Sequence, residues 1–255
     1  MTRILRIALL GLGLLAIVAL PADSQRRRRG APMEFGENVP YDGRFTFVRI
    51  RYQMDMNSGF GFQREPPWSH DYPRAERHFT KLLDELTTVR PNMEGSNILT
   101  LDDPELFKYP IAYMSEPGFW VANEQEREGF RQYLLKGGFV IFDDFAGNQW
   151  FGFENQLRKV LPEARIVPLT AAHPIFDAFY RIESLDYTHP YYGMPSQFLG
   201  VFEDNDPSKR LLMIINYNND VGEYWEFSDQ GVFPVDLSNT AYKLGINYLV
   251  YALTR

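Results

Sequence analysis

Tyr109–Phe145, YPIAYMSEPGFWVANEQEREGFRQYLLKGGFVIFDDF, carries the alternation that decides the fold. Ile111–Met114 is an apolar run of strand length. Glu124–Lys136 has helical spacing, with Asn123 placed to cap it and Glu126 three residues on, close to a capping box. Gly137-Gly138 stops that helix. Phe139–Phe142 is apolar at every position, as in a strand covered on both faces, and it runs into Asp143-Asp144. Strand, helix and strand in this order make a parallel unit of an α/β sheet. Ligands of such sheets collect beyond the carboxyl ends of the strands. Glu116 follows the first strand and Asp143 and Asp144 follow the second, so these three acids are the first candidate site residues.

The flanking sequence extends the pattern. Phe45–Tyr52 alternates β-branched and aromatic residues, as a strand does. Asn57–Tyr72 is a loop rich in Gly, Pro and aromatics. Pro73–Val89 reads as a helix with Ala75, Phe79, Leu82, Leu83 and Leu86 on one face. Asn97–Leu101 is a strand. Phe153–Leu161 is a short helix and Arg165–Leu169 a strand. Phe198–Glu203 and Leu211–Asn216 read as a hairpin at the sheet edge, and Leu237–Leu253 as a final helix capped by Asp236. The expectation is one α/β domain over residues 44–255 with a mostly parallel sheet.

Residues 1–24 read as a signal peptide. Arg3 and Arg6 precede an apolar run, Ile7–Leu20, and Ala22-Asp23-Ser24 fits a small-x-small cleavage site. Export with cleavage after Ser24 is expected, to the periplasm or beyond. The alternative is an uncleaved membrane anchor, because Arg26–Arg29 oppose translocation. Membrane contact is expected only through this segment. Residues 25–43 read as a flexible linker.

The 255-residue chain is 45% hydrophobic and has a net charge of −7, which suits a globular domain and argues against a nucleic-acid partner. It has no cysteine, which removes disulfides, thiol nucleophiles and Fe–S clusters. No G-x-G-x-x-G stands between a strand and a helix, and no G-x-S-x-G occurs. Neither NAD, ATP nor another cofactor is expected, and serine hydrolysis is unsupported.

An ordered set of motifs runs along the domain: Arg49-x-Arg51-Tyr52, Trp68-x-x-Asp71-Tyr72-Pro73, Tyr109-Pro110, Glu126, Leu134, Gly137-Gly138-Phe139 with Asp143-Asp144, His173-Pro174-Ile175-Phe176, and Asn219-Asp220 before Trp225-Glu226. This set resembles the bacterial domain-of-unknown-function 4159 family from Phe45 to the C-terminus. The resemblance implies a flavodoxin-like three-layer sandwich of the class I glutamine-amidotransferase-like, trehalose-utilisation type, and an exported or tethered protein. It implies no particular activity. Amidotransferases carry a cysteine on the turn after a strand like Phe139–Phe142; Asp143-Asp144 stand there in this chain. Without the thiol, chemistry through a thioester is ruled out.

Carboxylates at a strand end serve as general base, metal ligand or hydroxyl acceptor. The structural alternative is that one of the pair caps a helix beginning near Gln149. Adjacent strand residues point to opposite faces, so one of the two is expected to face the cleft. Of the four histidines, His78 lies in a helix and reads as structural. His173, before Pro174, is the expected third member of the site with Glu116 and Asp143–Asp144. Trp68, His70, Asp71 and Tyr72 in the aromatic loop, together with Asp220, are candidate ligand-binding residues. Trp120, Tyr191, Tyr192, Tyr217 and Trp225 add to an aromatic supply whose first reading is the pinning of long loops and whose alternative is a carbohydrate-like ligand. Asn216–Asp220 with Glu223 is rich in oxygen ligands but lacks a full calcium loop, so no metal is expected. The leading functional expectation is a cell-envelope binding or assembly module on a nucleophile-less scaffold. The alternatives are a carboxylate- and histidine-dependent hydrolase or lyase on a carbohydrate-like substrate, and a docking subunit of an envelope complex with an envelope protein as partner.

Overall fold

The computed structural model describes residues 34–54 and 65–255. Residues 1–24, read above as a signal peptide, residues 25–33 of the expected linker and part of the aromatic loop lie outside the described residues. Phe35–Arg255 form one compact unit.

The main sheet holds seven strands: β1 (Val48–Ile50), β3 (Asn97–Leu99), β4 (Ile111–Ser115), β6 (Phe139–Phe145), β7 (Ile166–Pro168), β8 (Gln197–Phe202) and β9 (Leu211–Tyr217). Their order is β3-β1-β4-β6-β9-β8-β7. The first five are parallel; β8 runs antiparallel to both β9 and β7. The expected hairpin is therefore present, and β7 rather than either of its strands forms the edge. Two short strands, β2 (Gln53–Met54) and β5 (Trp120–Val121), pair separately.

Among the described residues, five α-helices follow: α1 (Arg74–Leu86), α2 (Glu124–Leu135), α3 (Gln149–Val160), α4 (Val221–Glu226) and α5 (Val235–Thr254). The Asn123–Glu126 capping box at α2 forms in full. α3 starts a turn earlier than its apolar spacing suggests. α5 starts after Pro234, leaving Asp236 in its first turn rather than at its cap.

Strand alternation divides the core in two. Val48, Ile50, Ala112, Met114, Val140, Phe142, Met213 and Ile215 point to the face that packs α2 and α3. Phe47, Ile111, Tyr113, Phe139, Ile141 and Ile214 point to the face that packs α1, α4 and α5. Helices thus cover both faces, which is why β6 is apolar at consecutive positions. Each Val, Ile, Met and Phe among them contributes roughly 1.5–3 kcal/mol by leaving water.

Part of the linker is tied down. Asn38 exchanges hydrogen bonds with the backbone of Ile98, and Asn97 with that of Val39. Phe35 lies 4.8 Å from the Trp68 ring. This segment covers the edge strand β3, a common way of blocking strand addition.

Arg49 breaks the apolar pattern of β1 and fixes what surrounds it. It is fully buried and pairs through Nε with Glu76 of α1. Its Nη1 donates to the carbonyls of Trp68 (3.1 Å) and His70 (2.8 Å). One guanidinium therefore ties α1 and the loop before it to the central sheet. Removing one partner of a buried pair strands the other charge, at a cost of about 3–5 kcal/mol, whereas replacing both is often neutral. Arg49→Met should destabilise by that amount in urea unfolding, and Arg49→Met with Glu76→Leu should recover most of it. Equal losses in the single and double variants would show that the pair does not couple.

Candidate functional site

The carboxyl ends of β1, β4, β6 and β9 meet at one edge, and acidic residues from each connection converge there. The loop after β1 brings His70 and Asp71, held by Arg49. Glu116 follows β4, Asp144 lies in the last turn of β6, and Asp220 and Glu223 open α4 after β9.

His70 is the hub. Its Nδ1 lies 2.7 Å from Asp144 Oδ2, 3.6 Å from Asp71 Oδ1 and 3.8 Å from Glu116 Oε1. Asp144 Oδ2 also accepts from Ser115 Oγ, and its Oδ1 accepts from the Tyr192 hydroxyl at 2.7 Å. Two overlapping sets place one ligand atom from each member within 4.8 Å of the others: His70, Glu116 and Asp144, and His70, Asp71, Asp220 and Glu223. Among the described residues, no lysine or arginine pairs directly with any of these acids.

Three of the acids sit in left-handed backbone: Asp71 at φ 66°, Glu116 at 44° and Asp144 at 62°. A non-glycine residue there costs of order 1–3 kcal/mol and persists where its surroundings enforce it. At Asp144 the turn sends its side chain toward His70 and leaves Asp143 directed elsewhere.

Asp143 has a different role. Its Oδ2 accepts from the Tyr113 hydroxyl and from the backbone N–H groups of Val221 and Gly222, and its Oδ1 from Asn216 Nδ2. It does cap a helix, but that helix is α4 rather than the one near Gln149, where no side chain caps. Asp143 therefore places Asp220 and Glu223, and Asp144 is the member of the pair that faces the site.

The charges follow from this packing. Burial opposes protonation of His70, but the hydrogen bond to Asp144 and the charges of Asp71, Asp144 and Glu116 outweigh it and push its pKa up to about 11. Burial, reinforced by the Asp144 charge, lifts Glu116 to about 8. Asp143 is lifted to about 6 by burial and Asp144, against its N–H donors. Asp144 falls below the ordinary value despite burial, because His70 hydrogen-bonds and attracts its anion. Asp71, Asp220 and Glu223 are all raised, first by burial.

Of the sequence candidates, Glu116, Asp144, His70, Asp71 and Asp220 meet. His173 does not. Its ring lies between Phe202 and Tyr251, and Phe202 pairs with Leu211 at the start of β9, the opposite end of the parallel strands. After β7 the chain turns back along the α5 face to bury Ile175 and Phe176, and His173 caps that turn. Trp68 is core, and Tyr72 accepts from the Gly36 amide. Trp120 and Trp225 are buried too, so pinning explains most of the aromatics. Tyr191, 61% exposed, remains beside the acids. Sequence reasoning missed Ser115 and His189. Ser115 adjoins Glu116, a position that could have flagged it; nothing in the sequence marks His189.

This is an α/β protein whose cluster of acids around His70 lies at the carboxyl edge of a mostly parallel sheet. The chain belongs to the family described as a domain of unknown function (DUF4159), which it matches over residues 46–253. No curated protein matches it. Among the described residues, no helix is long and apolar enough to cross a membrane.

Gly222 borders the acids. A Cβ there would lie 2.5 Å from Asp71 Oδ2 and 2.6 Å from the Tyr113 hydroxyl. Gly222→Ala should therefore displace Asp71 and cost about 1–3 kcal/mol; thermal unfolding equal to wild type would show that the crevice gives freely.

His189 is buried under Tyr192, Tyr224 and Phe233. Burial lowers its pKa to about 4, against the pull of Asp144. The neutral ring is the folded form, so its contribution is complete above pH 6.5 and is lost as pH falls from there through 4. Relative to His189→Phe, wild type should lose on the order of 2–3 kcal/mol between pH 7 and pH 4. A difference independent of pH would contradict this.

Proposed function

We propose that this protein is an exported cell-envelope enzyme, a carboxylate- and histidine-dependent hydrolase or lyase acting on a carbohydrate-like substrate. The observation that carries the reading is the convergence of His70, Glu116 and Asp144 within 4.8 Å in one crevice. His70 takes the place that sequence reasoning gave to His173. The His70 side chain is 38% exposed and Glu116 17%, so both can reach a bound molecule, while Asp144 is buried and orients the imidazole. This is the pattern of a proton donor held by a carboxylate behind it.

The scaffold supports the same location. Numbered among themselves, the parallel strands run 2-1-3-4-5, the flavodoxin-like order, whose ligands bind where the strand order reverses. That point lies between β1 and β4, from which His70 and Glu116 come. The end of β6, with Asp143-Asp144, stands where an amidotransferase-like elbow would carry its thiol. Exposed Tyr191 offers an aromatic face for a sugar ring. Glu116 and Asp144 are closer than the roughly 6.5–9.5 Å of an inverting glycosidase pair. The arrangement suits proton transfer to and from one atom better than a pair flanking a glycosidic bond. Export rests on the N-terminal sequence.

The test is incubation of the protein with envelope-type oligosaccharides, with products read by mass spectrometry. Turnover is expected, and Glu116→Gln, His70→Gln and Asp144→Asn should each lower it by about 10²-fold or more. Saturable oligosaccharide binding with no product would overturn the enzyme reading in favour of a binding module.

A further inference from the structure

The acid–base reading leaves one side of the crevice unused: Asp71, Asp220 and Glu223, facing His70. We propose that these four residues hold one divalent first-row transition cation of the Mn²⁺ type.

Their ligand atoms, one from each residue, lie within 4.8 Å of one another. Donors bound to one cation at about 2.0–2.2 Å are separated by roughly 3–4.4 Å, so a small closure brings all four onto a shared ion. Asp71 supplies the independent observation. It is 4% exposed, and among the described residues neither of its carboxylate oxygens receives an N–H or O–H donor. The group within hydrogen-bonding reach of it is another carboxyl, that of Glu223. Two buried carboxyls in contact need a proton or a cation between them.

The surrounding contacts separate ligand duty from structural duty. Asp143 is saturated by Tyr113, Asn216, Val221 and Gly222 and has no place in the set. Asp220 accepts from the Glu223 amide through Oδ1, which fixes Glu223, and its carboxyl also lies within hydrogen-bonding reach of Asp144. Three carboxylates with one imidazole, which releases a proton to the solvent when it ligates, suit Mn²⁺, Fe²⁺ or Zn²⁺. Ca²⁺ wants six to eight oxygens, and Mg²⁺ keeps several waters.

The full-length protein, stripped with a chelator, is titrated with MnCl₂ while free Mn²⁺ is read by electron paramagnetic resonance. One Mn²⁺ per chain should bind. Asp71→Asn and Glu223→Gln should each weaken it by about tenfold or more, and Glu116→Gln, outside the set, by less than roughly threefold. Asp71 has no donor to lose, so Asp71→Asn should keep the metal-free thermal midpoint at or above that of wild type. A purely structural carboxylate would lower it. CaCl₂ and MgCl₂ should bind at least about tenfold more weakly. Absence of saturable Mn²⁺ binding at millimolar concentration, or binding that survives both variants, or Ca²⁺ binding as tight as Mn²⁺, would each overturn the proposal. If Asp71→Asn does not fold, Glu223→Gln decides. Turnover is not read here, so failure of the cation site and failure of the acid–base reading are distinguishable.

Discussion

Asp143 and Asp144 are adjacent, both buried, and balanced by different partners. The organisation of the crevice follows from that division. Asp143 is satisfied by neutral donors, chiefly the first amides of α4. Asp144 is satisfied by an imidazole from the far side of the crevice. One residue therefore positions the connection after β9, and the next positions the connection after β1. The left-handed turn at Asp144 makes this possible at the end of a strand buried on both faces.

Two charges stand behind the arrangement at different depths. Arg49, within the core, pairs with Glu76, holds the carbonyls beside His70 and draws on Asp71 from below. His70, at the mouth, faces Asp71, Glu116 and Asp144 at once. The acids outnumber these cations, and among the described residues Asp71 receives no donor at either carboxylate oxygen and Glu116 none at Oε2. Excess buried carboxylate of this kind is a poor way to stabilise a fold and a common feature of sites that receive a ligand.

Much of the architecture was legible in the sequence because it rests on local period. Fully apolar Phe139–Phe142 announced a strand covered on both sides, and Asn123 with Glu126 announced the start of α2. The edge at which acids gather followed from chain direction alone. The choice of histidine did not. His70 and His173 both lie in loops beside proline-containing turns. Only the path of the chain, pinned by Arg49 in one case and folded back to bury Ile175 and Phe176 in the other, separates top from bottom. Asp143 read as a site residue because a carboxylate that caps a helix 78 residues away leaves no local signature. The left-handed acids were equally silent, since no glycine marks those positions.

The account depends on His70 carrying the charge that balances Asp144 and its neighbours. The most direct measurement is the protonation state of the His70 ring, followed by ¹⁵N nuclear magnetic resonance in the metal-free protein as pH is raised. The geometry predicts an imidazolium with both nitrogens protonated through neutral pH and beyond pH 9, its pKa pushed up to about 11. A ring that loses its proton near the ordinary value of 6.5 would contradict it, because the acids around His70 would then be held apart from it or already neutral.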